Sequence, residues 1–476
     1  MARSKARVYT CCALMLLCVV AVIVCIAVLV RRKCPGDTFS SAAVAADSGR
    51  CSQIARQWIG VPGEVQGYEV AHKLYGKLKW ATLFEPTIKL ARGGFPVPQV
   101  QGRYIPFTDS NMTQPLRKLF SDKNGNLLKA GDIIKFEKLA DTLETIAKHG
   151  PGAFYTGRIA EDLIRDIQEA GGTLTAQDLA SYNVTVTDAW AFPLGEYQMY
   201  IPPPPAGGII LSFILNVMKG YNLNPASLVG QQKTLAYHRL VEAFKFANGL
   251  KKHIRDPRFS SEEMARKFTE DSFAKHIQSL ISSDKTHDPQ YYNITPYLDS
   301  MGTTHVSVLA EDGSAVSVTS TINHIFGSKV VSPRTGVILN NQLYDFCGRV
   351  DNIFPGEQPP SSMAPAVLKS QSKTLVIGST GGSMITTGII SALMNHLWFG
   401  KSLKEAIAAP VVFVDSQNAV KFEPGFDKNV IEALKALGHK HESAKYFFNV
   451  VNAVEKKDGC ICAVSDARKL GEAAGY

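Results

Sequence analysis

Residues 302–321 read GTTHVSVLAEDGSAVSVTST, and this stretch predicts a β-hairpin. Its loop, residues 311–313, ends in Gly313. A three-residue hairpin loop needs a left-handed residue at its end, and glycine supplies one without steric cost. The loop pairs Ala310 with Ser314, so it sets the register of the whole hairpin.

In this register the hairpin has one apolar and one polar face. The apolar face pairs valine with valine: Val306 with Val318, and Val308 with Val316. The polar face pairs Ser307 with Ser317 and His305 with Thr319. It also places Thr303 opposite Thr321, within side-chain reach. A threonine that follows glycine, starts a strand and faces a second hydroxyl fits a self-cleaving N-terminal nucleophile. A surface hairpin with a ladder of threonines is the alternative.

The charge balance excludes a nucleic-acid-binding protein. The chain of 476 residues has a formal charge of +9. Six basic and no acidic residues lie in the first 33, which leaves 45 basic against 42 acidic residues in the remainder. Such a balance is not the electrostatic footprint of a nucleic-acid binder. With 45% apolar residues, the chain can bury a large core.

An apolar segment near the N-terminus predicts a membrane anchor. Residues 8–30 carry no charge and span 23 residues, enough to cross a bilayer. Basic residues at 31–33 follow it in place of a small-residue cleavage site, which favours a retained signal-anchor. We expect residues 1–7 in the cytoplasm and a stalk over 31–50. The rest of the chain would be an extracellular ectodomain at the plasma membrane, in single-pass type II orientation.

Three Asn-x-Ser/Thr sequons agree with this address: Asn111, Asn183 and Asn293. We predict glycosylation at these positions. Two cysteines, Cys460 and Cys462, lie in a strand-like run at a spacing that does not make a metal site. We expect them to be core thiols.

The remaining pattern alternates helices and strands, which predicts stacked sheets with helices outside. An amphipathic helix starts at Arg158, and a buried helix follows a proline-rich turn. The predicted elements are helices over 158–167, 209–218 and 384–398, and strands near Val330, over 337–339 and over 374–377.

Several motifs after the hairpin place polar groups in turns. Gly381 and Gly382 lie between a strand and a helix, where backbone amides favour an anion and suit an oxyanion hole. An ordinary strand–helix turn is the alternative. Ser361 and Ser362 follow two prolines, and residues 340–345 read NNQLYD after an apolar strand. The sequence has no serine-hydrolase elbow, zinc-protease motif or dinucleotide-binding motif.

Taken in order, these motifs resemble the gamma-glutamyltransferases, also called glutathione hydrolases. The resemblance extends from about Ala42 to the last residue. It rests on Gly302-Thr303, Thr321-Ile322-Asn323, residues 340–345, Pro360-Ser361-Ser362-Met363, Gly381-Gly382 and the ending 471–476. Residues 332–336, which read SPRTG, and residues 466–476 are most similar to the leukotriene-cleaving members.

The resemblance implies an α+β fold, the four-layer αββα sandwich of N-terminal-nucleophile hydrolases, with an N-terminal transmembrane helix. By similarity, the chain cuts itself between Gly302 and Thr303. Residues 51–302 would then be the large-chain part of the ectodomain, and residues 303–476 the small catalytic chain. The two chains of one precursor are expected to stay together.

The resemblance also assigns roles to the motif residues. Thr303 is expected to be the nucleophile, with its freed α-amine as the base and Thr321 as support. The other assignments are Gly381 and Gly382 for the oxyanion, Asn323, Gln342 and Asp345 for the donor's α-amino group, and Ser361 and Ser362 for its α-carboxylate. Expected substrates are γ-glutamyl donors such as glutathione and cysteinyl leukotrienes, with amino acid or peptide acceptors. No metal or organic cofactor is implied.

The chain departs from the family pattern at two places. Gln342 stands where the family has Glu, which removes a charge from a bond whose charge-assisted form is worth roughly 1–3 kcal/mol. Between Arg56 and Gln57 the family has a long segment with a Gly-rich strand pair and an Arg that clamps the α-carboxylate. Without this segment the chain would lack central strands, the clamping Arg and the disulfide partner of Cys51.

Three functions therefore stay open at this point. The first is an active γ-glutamyl hydrolase and transpeptidase. The second is an impaired or inactive membrane glycoprotein of the same family, because of the missing segment. The third is an N-terminal-nucleophile acylase for other amides. A fragment that begins at Thr303 would show maturation, and the presence of uncut protein alone would contradict the first.

Overall fold

The computed structural model describes residues 58–108, 114–294, 302–347, 349, 352–442 and 449–475. The predicted anchor, its tail and its stalk lie outside these ranges, as does the sequon residue Asn111. Within the described ranges, no helix is both long and apolar enough to cross a membrane.

The described helices lie mostly before residue 281, and three further ones follow the hairpin. The α-helices are α1 Glu64–Tyr75, α2 Trp80–Gly93, α3 Gln99–Tyr104, α4 Gln114–Leu119, α5 Glu137–His149, α6 Gly152–Tyr155, α7 Arg158–Glu169, α8 Ala176–Ala180, α9 Gly208–Lys219, α10 Gly230–Leu250, α11 Glu263–Lys267, α12 Asp271–Leu280, α13 Ile385–Leu393, α14 Leu403–Ala408 and α15 Lys428–Ala436.

The described strands lie mostly in the second half of the chain. They are β1 Phe95–Pro96, β2 Ile133–Ile134, β3 Trp190–Leu194, β4 Tyr197–Ile201, β5 Thr304–Leu309, β6 Ala315–Ser320, β7 Ala366–Lys369, β8 Thr374–Thr380, β9 Val412–Val414, β10 Val420–Phe422, β11 Val450–Lys457 and β12 Cys460–Val464.

A six-stranded antiparallel sheet, in the order β12-β11-β8-β7-β4-β3, is the largest sheet of the described residues. Its longest ladder joins β8 to β11, from Thr380 opposite Val450 to Thr374 opposite Lys456. The middle of β8 is a run of fully buried apolar residues, which is typical of a strand covered on both faces.

One face of this sheet is covered by helices. Helices α9 and α13 pack on the sheet and α10 packs on α9, and the buried residues of all three belong to the main hydrophobic core. Helix α9 is buried from Gly208 to Met218, because its sequence is apolar almost all round. This helical layer holds the sheet from one side.

The β5–β6 hairpin forms a second, two-stranded sheet. Its register is the predicted one: Val306 pairs with Val318 and His305 pairs with Thr319. Ala310 N donates to Ser314 O at 2.9 Å and so closes the loop. The turn chemistry and the alternation of side chains therefore suffice to set this pairing.

The hairpin packs on β8 and β11 through its polar face. Ser307 Oγ donates to Asn452 O at 3.1 Å, and Ser317 Oγ donates to Ile377 O at 3.1 Å. The opposite face carries the four valines, which are between 38% and 55% exposed. The described residues thus form three layers: helices, the six-stranded sheet and the hairpin.

The N-terminal helices have two smaller cores of their own. One packs α6, α7 and α8 together with Ile59 and Leu339, and the other surrounds Phe120 and Ile134. Helix α7 is the amphipathic helix predicted from Arg158, with Ile159, Leu163 and Ile167 buried. These cores link residues before the hairpin to residues after it.

Other element predictions have mixed outcomes. The helix over 209–218 and the strand over 374–377 are confirmed as α9 and β8. The helix over 384–398 is present in pieces, as α13 followed by a π-helical turn at Met394–Trp398. The strands near Val330 and over 337–339 are wrong: this segment makes only an isolated bridge between Val331 and Ile338.

The expectation of core thiols at Cys460 and Cys462 is also wrong. Both are free and exposed. They lie on β12, which is the outer strand of the six-stranded sheet and pairs only through β11. As the outer strand, β12 has no neighbouring strand on one side, and a strand-like pattern alone does not reveal that position.

The exposure of the valine face leads to a stability prediction. The double substitution Val308→Thr and Val316→Thr is expected to lower the free energy of unfolding by less than about 1 kcal/mol, because exposed positions contribute little burial. Val376→Thr in fully buried β8 should cost about 2 kcal/mol or more. Urea unfolding measures both. A loss above about 2 kcal/mol for the double variant would mean that another layer covers the valines.

Candidate active site

The start of β5 brings the two predicted hydroxyls together. Thr303 Oγ1 donates to Thr321 Oγ1 at 3.0 Å, as the hairpin register predicts. Thr321 Oγ1 also accepts the Asn323 N–H at 2.8 Å. Thr321 therefore sits between the Thr303 hydroxyl and the backbone that follows β6. The hydroxyl proton of Thr303 points to Thr321, so the lone pairs of Thr303 Oγ1 are available to attack an electrophile.

The glycine turn after β8 lies at the peptide bond before Thr303. Gly381 N–H donates to the carbonyl oxygen of Gly302 at 3.2 Å. Gly381 has φ 118° and Gly382 has φ 57°, values that favour glycine. Both residues are buried. The predicted oxyanion residue thus already contacts the carbonyl of the predicted cleavage bond.

The backbone at this bond is crowded and strained. A Cβ at position 302 would lie 2.0 Å from the Asn323 carbonyl oxygen, so only glycine fits there. Thr303 has φ 103°, which is an outlier for a β-branched residue. Strain of this kind costs on the order of 1–3 kcal/mol and persists only where the surroundings impose it.

The hydrogen-bond network continues from Asn323 to the carboxylate of Asp345. Asn323 Nδ2 donates to Asp345 Oδ1 at 3.0 Å and to Asn341 O at 3.1 Å. Gln342 Nε2 donates to Asp345 Oδ2 at 2.8 Å. Burial raises the pKa of Asp345 to about 7, and the two side-chain hydrogen bonds offset only part of that rise. The network runs without a break from Thr303 to Asp345.

The predicted serines lie on a loop before β7. Ser361 N donates to Pro205 O at 2.8 Å, and Gly207 N donates to Met363 O at 2.8 Å. A Cβ at Gly207 would come within 2.7 Å of the Ser362 carbonyl oxygen. The proline–glycine turn therefore packs directly against the serine loop. Among the described residues, no hydrogen bond joins these serines to the network of Thr303.

Two residues at the hairpin escaped the sequence-based prediction. Lys469 Nζ donates to the Thr303 carbonyl oxygen at 2.8 Å, although 166 positions separate them. His305 is buried between Thr319 Oγ1 and Ser307 Oγ, each 2.9 Å from a ring nitrogen, and burial lowers its pKa to about 4. The only signal for Lys469 was its place in the C-terminal segment of the resemblance, and His305 looked like one member of a polar face.

The remaining predicted positions are on the surface. Asn183 and Asn293, which begin the second and third sequons, are exposed. Exposure permits glycosylation but does not test it.

A separate buried cluster could in principle hold a metal ion. His238, Glu242 and His439 place one ligand atom each within 4.8 Å of one another. Lys245 Nζ lies 2.9 Å from His439 Nδ1 and 3.4 Å from Glu242 Oε1, and His238 Nδ1 lies 2.8 Å from His439 Nε2. Burial, with Lys245 next, lowers the pKa of His439 to about 2. The Lys245 ammonium already supplies the positive charge, so these residues fit a closed hydrogen-bond network.

The stacked sheets and a threonine at the start of the hairpin strand define an N-terminal-nucleophile hydrolase fold. The crystal structure of cephalosporin acylase from Bacillus halodurans matches with a TM-score of 0.78 at 23% identity. The match covers 88% of this chain and 78% of that one. At this identity the likeness establishes the fold.

The chain belongs to the gamma-glutamyltranspeptidase family, whose sequence model matches residues 31–476. Glutathione hydrolase 5 proenzyme from Rattus norvegicus is 44% identical over 442 residues, covering 88% of this chain and 76% of the relative. The human protein of the same name is 43% identical over 453 residues, covering 88% and 77%. Membership makes this chain an enzyme of the hydrolase class, although each relative has a portion without a counterpart here.

Proposed function

We propose that the chain cuts itself between Gly302 and Thr303 and then cleaves γ-glutamyl amide bonds through Thr303. The observation that carries the proposal is the Gly381 N–H on the Gly302 carbonyl, next to a Thr303 hydroxyl held by Thr321. An oxyanion donor, an electrophile and a nucleophile are thus adjacent in the uncut chain.

Self-cleavage follows from this geometry in two steps. Thr303 Oγ attacks the Gly302 carbonyl carbon, and the peptide C–N bond breaks as the nitrogen takes up a proton. The product is an ester between Gly302 and the Thr303 hydroxyl. Water hydrolyses the ester and leaves a carboxylate on Gly302 and a free hydroxyl and α-amine on Thr303. The strain at Thr303 favours the broken bond.

The freed α-amine then acts as the base of the catalytic cycle. An ordinary α-amine has a pKa of about 7.7–8.0, so part of it is neutral near pH 7. It takes the proton of the Thr303 hydroxyl, which attacks the γ-carbonyl of the donor. Gly381 and Gly382 amides stabilise the oxyanion. The protonated amine gives its proton to the leaving amine, and a glutamyl ester remains on Thr303.

The second half of the cycle releases the glutamyl group. Water, activated by the same α-amine, attacks the ester and gives glutamate; an amino acid or peptide amine in place of water gives a transferred product. Thr303 recovers its hydroxyl proton in either case. Each step uses groups of this chain, the substrates and water, so the proposed cycle needs no metal or organic cofactor.

The donor's α-amino group would be bound at Asp345. Its carboxylate lies at the end of the network from Thr303, with Asn323 and Gln342 on its two oxygens. Ser361 and Ser362 would contribute to the α-carboxylate site. We favour glutathione as the substrate because the relatives are named glutathione hydrolases. A cysteinyl leukotriene that carries the whole glutathione group presents the same γ-glutamyl amide.

Donor binding is expected to weaken as the pH falls through about 7. The raised pKa of Asp345 means that its carboxyl is protonated and uncharged below that pH, and a neutral acid does not pair with an ammonium group. The competitive inhibition constant of glutamate should rise about tenfold per pH unit below 7 and level off above it. Asp345→Asn should bind weakly at every pH. A wild-type constant that is flat from pH 5.5 to 8 contradicts the assignment.

Gln342→Glu is expected to tighten glutamate binding about tenfold at pH 8, because the α-ammonium would then pair with two carboxylates. The same change removes the donor that Gln342 offers to Asp345 and adds repulsion, so the unliganded protein should lose about 1–2 kcal/mol of stability at that pH. Inhibition constants and urea unfolding measure the two effects. Gln342→Ala serves as the control, since it removes the hydrogen bond without adding charge. Unchanged binding in Gln342→Glu would place the ammonium elsewhere.

We also infer that this protein is a type II membrane glycoprotein with its ectodomain outside. The apolar segment at 8–30, the basic residues after it and the exposed Asn183 and Asn293 support this. Three layers and an open valine face support the full αββα sandwich. Expression in animal cells, followed by surface protease treatment and deglycosylation, tests the orientation. Protection of the ectodomain in intact cells would contradict it.

The function is tested with glutathione and the purified chain. We expect release of glutamate, and a glutamyl adduct on the fragment that starts at Thr303 when the reaction is quenched early. The mass spectrum should show the adduct on that fragment and not on residues 1–302. Absence of turnover and adduct in a protein that has cut itself would favour another amide substrate. Absence of cutting would favour the non-catalytic member of the family.

A further inference from the structure

Lys469 is the only basic side chain of the described residues whose hydrogen bond reaches Thr303. It ends the short 3-10 helix Ala467–Lys469 near the C-terminus. Its Nζ donates to the Thr303 carbonyl oxygen at 2.8 Å, and the side chain is half-buried. Burial lowers the pKa of Lys469. Partial burial of this cation costs free energy, and the interaction that accompanies it is the bond to this one carbonyl.

The acidic groups beside Lys469 are committed to another cation. Asp466 accepts the Arg468 guanidinium at 3.0 Å and the Val451 N–H at 3.0 Å. Glu423 accepts Arg468 Nε at 2.6 Å. Among the described residues, no carboxylate forms an ion pair with Lys469. Among those residues its ammonium is therefore directed at the Thr303 carbonyl and not at a carboxylate.

We propose that Lys469 positions the nucleophile: it holds the Thr303 carbonyl so that the α-amine released by cleavage stays beside the hydroxyl, and its charge keeps that amine neutral and able to accept a proton. The proposal rests on the function proposed above, because the amine exists only after self-cleavage. Lys469 itself touches neither the γ-carbonyl nor the leaving group in this assignment.

The distance makes the electrostatic effect large enough to measure. The nitrogen and carbonyl oxygen of one residue lie within about 3.6 Å, so Lys469 Nζ is within roughly 6 Å of the Thr303 nitrogen. At that separation a unit charge shifts the titration of an amine by about 0.5 to 2 pH units, depending on screening. A cation disfavours the protonated amine, so the shift is downward.

Other titratable groups near the hairpin do not replace this effect. His305 on β5 is neutral at working pH, since burial lowers its pKa to about 4. Glu64 from α1 accepts a hydrogen bond from Ser320 Oγ at 2.7 Å, one residue before Thr321. Asp345 is reached only through Thr321 and Asn323. Lys77 and Asp312 pair with each other at the hairpin loop, at the opposite end of β5.

The test is the pH dependence of kcat for Lys469→Met and Lys469→Arg. The acid limb of kcat reports the base in the enzyme–substrate complex. Its midpoint should move up by about one pH unit in Lys469→Met and stay near the wild-type value in Lys469→Arg. Lys456→Met, which removes a half-buried lysine of β11 that contacts the Glu311 carbonyl oxygen, is the matched control and should leave the profile unchanged. An unmoved midpoint in a cut and active Lys469→Met enzyme overturns the proposal.

A second measurement covers a Lys469→Met chain that fails to fold or to cut itself. In the mature wild-type protein, the rate of selective acylation of the Thr303 α-amine is followed against pH. Its midpoint should lie below the ordinary value of about 7.7–8.0 for an α-amine. A midpoint at or above that value overturns the role of Lys469 alone. A folded wild-type chain with no fragment starting at Thr303 overturns the role and the proposed function together.

Discussion

Thr303→Ala is expected to leave the chain uncut and to lower γ-glutamyl hydrolysis by at least about 10⁴-fold. The substitution removes the hydroxyl that attacks Gly302 and, in the mature enzyme, the donor amide. Gly381 N–H still binds the Gly302 carbonyl, so the fold itself should persist. Gel electrophoresis and a glutamate-release assay measure both losses. Substantial turnover by an uncut Thr303→Ala chain would contradict the nucleophile.

Two matched variants separate chemistry from packing. Thr303→Ser keeps a hydroxyl and should cut itself, more slowly, because it lacks the methyl group that holds the strained conformer. Thr304→Ala changes the next residue, which is exposed, and should cut and turn over like the wild type. Equal impairment of Thr304→Ala would mean that the hairpin, and not the Thr303 hydroxyl, was damaged.

Arg334→Met is expected to lower the free energy of unfolding by about 3 kcal/mol. The side chain of Asp166 is 1% exposed and forms an ion pair with Arg334, and Ser332 Oγ and Arg334 N–H donate to the same carboxylate. Loss of the guanidinium leaves a buried charge with two neutral hydrogen bonds. The low end of the usual range applies because Arg334 is itself 34% exposed. Urea unfolding of uncut Thr303→Ala protein avoids dissociation of two chains.

Two controls define the origin of this cost. The double variant Asp166→Asn with Arg334→Met has no buried charge and should be at least about 1 kcal/mol more stable than Arg334→Met alone. Arg92→Met removes exposed ion pairs with Asp141 and Glu144 and should cost much less than Arg334→Met, because solvent screens such pairs. Equal costs for Arg334→Met and Arg92→Met would show that Asp166 is not a buried, dependent charge.

The pairing of the hairpin was predictable from sequence, but the face that it buries was not. Loop length and the valine alternation determine which residues are opposite. The alternation does not say which face is buried, and in the structure Ser307 and Ser317 point to the sheet, where backbone carbonyls of Asn452 and Ile377 accept their hydroxyls. Those acceptors come from β11 and β8, which are distant in sequence. No local pattern can report such a partner.

The candidate site likewise has one part that the sequence predicts and one part that it does not. Residues from Thr303 to Asp345 lie close together in the chain, so motif order was sufficient to group them, and the hydrogen bonds from Thr303 to Asp345 connect them. Lys469 acts at Thr303 from a distance of 166 positions. A lysine in a C-terminal segment has no signature that tells a buried contact from a solvated one. Only the packing of the last helix on the hairpin reveals it.

The motif at 332–336 shows the converse. It helped to place the chain among its relatives. Its physical role is to bind the buried carboxylate of Asp166 from α7, through Ser332 and Arg334. A motif that marks a family is thus not always part of its chemistry. Here it joins residues before the proposed cleavage bond to residues after it.

The most direct test of the central claim is N-terminal sequencing of the chains obtained after expression of all 476 residues. We expect two chains, the smaller beginning Thr303-Thr304-His305, in a complex that stays together. A folded protein that contains only the uncut chain, or that is cut at another bond, would contradict an N-terminal nucleophile at Thr303.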